Sequence, residues 1–206
     1  MNTANIFPLI VPASYYQKGV WELPHQQLPN KKYLLTWVFF NTNSAMIYIT
    51  QKDFVELNAK YTGWQKLSFE NLRKSITEEE NFFTHQKQTE DGKEIKFLAF
   101  LHSDGIGSSR ILLDCELAAA FPDGYYVALP DRSCGLVIPK TISSKDLTDV
   151  KDQVNSMYKD ATTPMSGEVY PSENFLLPKD WLMPVDKAFS KTMVKEINKI
   201  NKKTGF

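Results

Sequence analysis

Eleven prolines punctuate the 206-residue chain, and none falls between Asn30 and Phe121. Proline fixes φ and has no N–H to donate, so it is excluded from helix interiors and from central strands. The distribution predicts a regular middle bounded by extended, turn-rich ends. Pro8, Pro12, Pro24 and Pro29 mark the first end, and Pro164, Pro171, Pro178 and Pro184 the second. Both ends also carry aromatics: Tyr15, Tyr16 and Trp21 in one, Tyr170, Phe175 and Trp181 in the other. That is too apolar for free linkers. The expected organisation is a single domain over 1–206, with an N-terminal extended segment at 1–30, a core at 31–160, a proline-rich segment at 161–184 and a C-terminal helix at 185–206. Both end segments are expected to wrap the core.

Within the middle, Tyr33–Phe40 (YLLTWVFF) is an aromatic and β-branched run suited to a central strand. A turn at Asn41–Ser44 and a strand at Ala45–Ile49 would complete a hairpin. Thr50 is a good N-cap for a helix over Gln51–Asn58. Trp64, Leu67, Leu72 and Ile76 recur at helical spacing, which predicts a helix over about 65–76. Residues 78–94 are polar and acidic, with Glu78, Glu79 and Glu80 read as a solvated loop and Asp91-Gly92 as a tight turn between strands at Asn81–Lys87 and Ile95–Leu101. Ser109–Ala120 is predicted helical. Gly124–Leu129 and Cys134–Ile138 form a second hairpin around Pro130-Asp131-Arg132-Ser133. In Ser143–Tyr158, Leu147, Val150, Val154, Met157 and Tyr158 share one face, and Ser143 with Asp146 makes a capping-box-like start. Hairpins rather than βαβ spacing argue an α+β fold: a largely antiparallel sheet of hairpins packed by several helices, with proline-rich wrapping segments at both ends.

Twenty-four basic and 24 acidic residues cancel. A zero net charge gives no whole-protein field to gather nucleic acid or a membrane surface, so neither is expected as a partner. Cys115 and Cys134 form no CxxC pair and read as reduced, buried thiols of a cytoplasmic protein. The first residues lack the basic start of a signal peptide. No run reaches the roughly 18 apolar residues of a membrane span. His25, His85 and His102 are scattered, with no HxxH, HExxH or Cys/His cluster, so neither a metal nor an organic cofactor is expected.

Three stretches, WVFFNTNSAMIYITQKDF, SDGIGSSRILLDCELAAAF and GYYVALPDRSCGLVI followed by PMSGEVY, resemble in order and spacing the YtpQ-like bacterial proteins of unknown function, over roughly residues 33–170. Ser109-Arg110-Ile111-Leu112-Leu113 and Ala128-Leu129-Pro130-Asp131-Arg132 carry the likeness most strongly. The resemblance implies a soluble bacterial protein with an α+β fold. It implies no reaction and carries over no catalytic residue.

The candidate site lies at Ser103–Arg110. Two glycines and three serines precede a predicted helix start, where free backbone N–H groups favour anions. The pattern is neither a P-loop nor GxGxxG, and a turn with a serine N-cap is the simpler account of it. Arg110 resists that account. A cation in the first helical turn opposes the macrodipole by about 0.3–1 kcal/mol, which calls for an anionic partner: Asp104, Asp131 or a ligand. Arg132, in the second hairpin's turn, would complete a clamp if it faced the same cleft. Asp104, Ser108, Ser109, Arg110 and Arg132 are therefore the candidate anion-binding set. No catalytic residue is assigned: Ser108 or Ser109 would need a base, His102 is the nearest histidine, and no G-x-S-x-G elbow is present.

In the C-terminal helix, Val185, Phe189, Met193, Ile197 and Ile200 make an apolar stripe opposite Lys187, Lys191, Lys195, Lys199, Lys202 and Lys203. This suits a docked helix with a solvated lysine face. The leading functional expectation is a non-catalytic binding or interaction module with another protein as partner. The alternatives are an enzyme or sensor for a small anionic ligand at the 103–110 loop, and an immunity or regulatory protein that inhibits a partner.

Overall fold

A computed structural model describes residues 2–17, 23–41, 45–77, 83–88, 94–102, 104–182, 184–187, 191 and 193–195. It is an α+β fold whose antiparallel strands divide between two sheets. The first sheet is built on β3 (Tyr33–Phe40), flanked by β1 (Ile6–Pro12) on one side and by the short β2 (Gln26–Gln27) and β4 (Met46–Tyr48) on the other. The second runs in the order β5 (Phe83–Gln88), β6 (Glu94–Leu101), β8 (Cys134–Pro139), β7 (Tyr125–Asp131) and β9 (Val169–Pro171).

The aromatic run of β3 is buried from Tyr33 to Val38 on both faces, and its one polar side chain, Thr36, donates to the Pro24 carbonyl at 2.9 Å. Trp37 lies at the centre of an aromatic cluster with Phe54, Trp64 and Trp181, at centroid distances of 5.6, 5.3 and 5.5 Å. The N-terminal segment supplies a full strand: β1 pairs with β3 from Ile6↔Phe39 to Pro12↔Tyr33. Its prolines are tolerated because β1 is an edge strand. Side chains from elsewhere satisfy that edge. Ser109 Oγ accepts from Ile10 N at 3.0 Å, and Asn71 Nδ2 donates to the Thr3 and Ile6 carbonyls at 2.8 and 2.9 Å.

Helices α2 (Gln51–Lys60) and α3 (Trp64–Thr77) lie between the two sheets in sequence, and α2 opens on a full capping box of Thr50 and Asp53. The main core joins the first sheet, α3 and one face of the second sheet, through Leu98, Phe100, Val127, Leu129 and Val137. A smaller core on the opposite face packs Phe97, Ala99, Ala128, Leu136 and Ile138 beneath Val150 and Val154 of α5 (Ser144–Lys159). Ser143 caps α5, as its spacing from Asp146 predicts.

Two sequence expectations change. The helix predicted over Ser109–Ala120 is two pieces: a 3-10 helix at Gly107–Leu112 and α4 at Asp114–Ala120, broken at Leu113. Val185 lies outside the C-terminal helical stripe and is 42% exposed. Helical backbone is described at Lys187, Lys191 and Met193–Lys195; Met193 is buried while all three lysines are exposed. Phe189, Ile197, Ile200, Lys199, Lys202 and Lys203 lie outside the described residues, as do Trp21, Glu78–Glu80, Asp91-Gly92 and the turn at 42–44.

The segment after β9 packs back across the core. Trp181 enters the aromatic cluster, the Pro184 carbonyl accepts from Arg73 Nη2 at 2.9 Å, and Asp186 N donates to Glu116 Oε1 at 3.3 Å. Arg73 and Glu116 form an ion pair beneath it. Among the described residues no helix is long and apolar enough to cross a membrane.

Candidate functional site

Ser103 lies outside the described residues; Asp104 organises the loop over 104–110. Its Oδ1 accepts from Ile106 N at 2.9 Å, closing a short turn, and Gly105 takes the left-handed φ of +77° that this turn requires. The same carboxylate grips Arg110 with both oxygens, Nη2 to Oδ2 at 2.7 Å and Nη1 to Oδ1 at 3.3 Å. Arg110 is fully buried, and its Nη2 also reaches Ser75 Oγ on α3 at 3.4 Å. His102 Nδ1 lies 3.2 Å from both the Asp104 backbone N and Oδ2.

The Arg110 partner is therefore Asp104. Asp131 is engaged elsewhere: its Oδ1 takes Ser133 N and Oγ at 2.7 and 2.6 Å, and its Oδ2 takes Thr163 N at 2.7 Å. The macrodipole argument for Arg110 also falls, because Arg110 sits in the last turn of a 3-10 helix and not in the first turn of an α-helix. No side chain caps that helix. Ser109 Oγ instead accepts from Ile10 N of β1.

The five candidate residues do meet in one region. Ser108 N donates to the Arg132 carbonyl at 3.0 Å, and Arg132 N to the Thr163 carbonyl at 3.1 Å, so the hairpin turn is held on both sides. Ser108, Ser109 and Arg110 are wholly buried, whereas Asp104 and Arg132 keep part of their surface. The Arg132 side chain runs over Gly105: its Nε and the Met46 Cε each lie 3.8 Å from where a Gly105 Cβ would stand. Tyr48 is beside it. Burial, then the neighbouring Tyr15, push the Tyr48 phenol up to about 12, and the Arg132 charge and hydrogen bond oppose that rise. The Arg132 Nε–H is shielded from solvent and meets no acceptor among the described residues. Met46 and Tyr48 were not legible as site residues, because β4 reaches Arg132, and α1 (Ala13–Gln17) brings Tyr15 to Tyr48, only through the tertiary fold.

Burial works against the Asp131 carboxylate, but hydrogen bonds from Ser133 and Thr163, with the adjacent Arg132 charge, outweigh it and hold its pKa below the ordinary value. Such a group stabilises the fold above its unfolded pKa near ~4, and the contribution is lost as pH falls through the lower folded value. Asp131→Asn is expected to flatten the acid limb of stability below about pH 4, read by urea unfolding across a pH series. An acid limb unchanged from wild type would contradict this.

The cysteines are free thiols. Burial, then the Asp131 charge, push Cys134 up to about 12. Burial and the flanking Asp114 and Glu116 carboxylates raise Cys115, against the pull of Arg73. Since the thiolate is the nucleophile, iodoacetamide is expected to leave Cys134 unmodified in the native protein and to label both thiols in urea, as read by mass spectrometry. Rapid native labelling of Cys134 would be the contrary result. Among the described residues no three His, Cys, Asp or Glu side chains converge as metal ligands. Compared with family models, with curated proteins and with solved structures, the chain matches none.

Proposed function

We propose that this chain is a non-catalytic binding protein whose partner is another protein. The observation that carries the reading is the division of labour between the two arginines of the site. Arg110 is sealed inside by Asp104, so the most reactive-looking stretch of the sequence is a structural lock. Arg132 keeps part of its surface without a carboxylate in salt-bridge range among the described residues, with Tyr48 and Met46 beside it and Tyr15 beside Tyr48. Arginine, tyrosine and methionine are the residue types enriched in interface cores, and arginine and tyrosine recur as hot spots. Tyr15 is 40% exposed, which suits a contact face. A YtpQ-like relationship, a bacterial source and a cytoplasmic setting belong to the same proposal, as does inhibition of a partner enzyme as one form of binding.

The rival, a small anion held by Asp104, Ser108, Ser109 and Arg110, has less support, because the two serines and Arg110 are buried and the arginine charge is already met. The test is affinity capture of the intact chain, followed by reconstitution with each captured protein and sedimentation of the purified pair. A single partner bound at fixed stoichiometry supports the reading. Turnover of a compound in a metabolite-depletion screen, with no such partner, would replace it with an enzyme.

A further inference from the structure

We infer that His102 is a proton-operated switch for the Asp104 turn: the neutral ring accepts from the Asp104 backbone, and the protonated ring releases that backbone and donates to the Asp104 carboxylate instead. The inference goes beyond the interaction reading and does not depend on it. The residue is fixed to the second sheet, because His102 N donates to the Ser133 carbonyl in the β7–β8 turn at 3.0 Å. Its Nδ1 lies 3.2 Å from two Asp104 atoms of opposite character, the backbone N and Oδ2. A backbone N–H only donates and an ionised carboxylate only accepts, so one ring nitrogen serves one of them at a time. With its proton on Nε2, the neutral ring offers the Nδ1 lone pair to Asp104 N. The imidazolium carries a proton on both nitrogens, and only the contact with Oδ2 survives. The carboxylate has room for that donor. It takes Ile106 N, Arg110 Nη1 and Arg110 Nη2 at 2.9, 3.3 and 2.7 Å, and an ionised carboxylate accepts about four hydrogen bonds. The Arg110 lock therefore stays closed, and the group that changes partner is the Asp104 N–H. Solvent reaches this corner to take it over, since the His102 and Asp104 side chains keep 22% and 21% of their surface.

The charged and titratable neighbours among the described residues leave His102 as the group that changes state. Besides Asp104 and Arg110, the β7–β8 turn brings Asp131 and Arg132, with the Tyr48 and Tyr15 phenols beyond Arg132. Asp131 is committed to Ser133 and Thr163, and its pKa is held below the ordinary value. From α3 the side chain that meets Arg110 is Ser75, which is neutral. On the neighbouring β5, His85 and Lys87 stand opposite Phe97 and Ile95, well down β6 from His102. Histidine is the side chain whose ordinary titration falls between about pH 5 and 8.

Proton–nitrogen spectra of the full chain read both halves of the switch. Long-range correlations distinguish a ring nitrogen that carries a proton from one that does not, with each of the three histidine rings assigned through its own Cβ. The neutral His102 ring is expected to carry its proton on Nε2, and to become the imidazolium as pH falls from about 8 to 5. The Asp104 amide proton is expected to move upfield with the same midpoint as the ring, because its acceptor is withdrawn. The Ile106 amide, which donates to Oδ1, should keep its protection from hydrogen exchange throughout. In His102→Asn the side-chain oxygen can stand where Nδ1 stood and takes no proton in this range, so the Asp104 amide should lose its titration. Should that variant not fold, the two midpoints in the wild-type protein decide alone. A proton on Nδ1 of the neutral ring, an Asp104 amide that does not move with the ring, or an Asp104 amide that still titrates in His102→Asn would each overturn the inference. Loss of Ile106 protection as the ring is protonated would also overturn it, since the turn would then open as a whole and not exchange one hydrogen bond.

Discussion

Asp104→Ala is expected to lower stability by roughly 3–5 kcal/mol, the usual cost of stripping one partner from a buried ion pair. The loss is large because of what remains, not because of what the pair itself contributes. Arg110 is fully buried, and among the described residues its Nε lacks an acceptor and its guanidinium's other hydrogen bond is a 3.4 Å approach to Ser75. Removing the carboxylate also takes the acceptor from Ile106 N and opens the turn at Gly105. The double variant Asp104→Leu/Arg110→Met separates these effects. Replacing a buried pair by apolar groups of similar volume is often near neutral, so the double variant should recover most of what the single one loses. Urea unfolding of wild type, both single variants and the double closes the cycle. A single-variant loss below about 1 kcal/mol would show that the Arg110 charge is met by solvent, and the lock assigned to this loop would be wrong.

Gly107→Ala should also be strongly damaging, for a different reason. A methyl group at this position would overlap the Ser133 carbonyl group and lie 3.2 Å from the Phe100 carbonyl oxygen. Both obstacles are backbone, and the Ser133 carbonyl is held in place by His102 N at 3.0 Å. Neither can rotate aside as a side chain would. The 3-10 helix must then lift from the second sheet, taking Ser109 away from the edge of β1. A loss of about 3 kcal/mol or more follows from overpacking with no room to relax. Gly63→Ala is the control: its φ is +76° but a Cβ there meets nothing within 4 Å, so only backbone strain of about 1 kcal/mol should appear. Thermal melts of the two variants side by side would decide it. Equal small losses would mean that the loop does not sit against the sheet as described.

The parts of this fold that could be read beforehand are those where each residue answers to its near neighbours. Tyr33–Phe40 is apolar along its length because both faces are covered, and Thr50 and Ser143 announce helices by oxygen atoms that reach three residues on. Where the pattern misled, the deciding partner was remote. Ser109 looked like a candidate anion ligand, yet its hydroxyl accepts from Ile10 N, 99 residues away. Arg110 looked misplaced on a helix that does not exist in that form. The 3-10 geometry is set by Gly107 and Gly135 letting backbone approach backbone, and no periodicity signals that. The candidate list was right about proximity, since Ser108 touches the Arg132 carbonyl, but it could not tell buried from exposed within the list. Nor could it find Tyr48 and Met46, which the β3–β4 hairpin carries to Arg132 from far upstream.

The Arg73–Glu116 pair sets an order of events during synthesis. Its two members leave the ribosome well before Pro184 and Asp186, whose backbone groups complete their hydrogen bonds. Until then the pair lacks these two hydrogen bonds, and the aromatic cluster around Trp37 lacks the Trp181 ring. Growing chains of this kind fold as whole units once their last contributing element is available. A nascent chain is thus expected to stay less tightly packed until Trp181, Pro184 and Asp186 emerge, and a translational pause before them to prolong its exposure to chaperones and proteases.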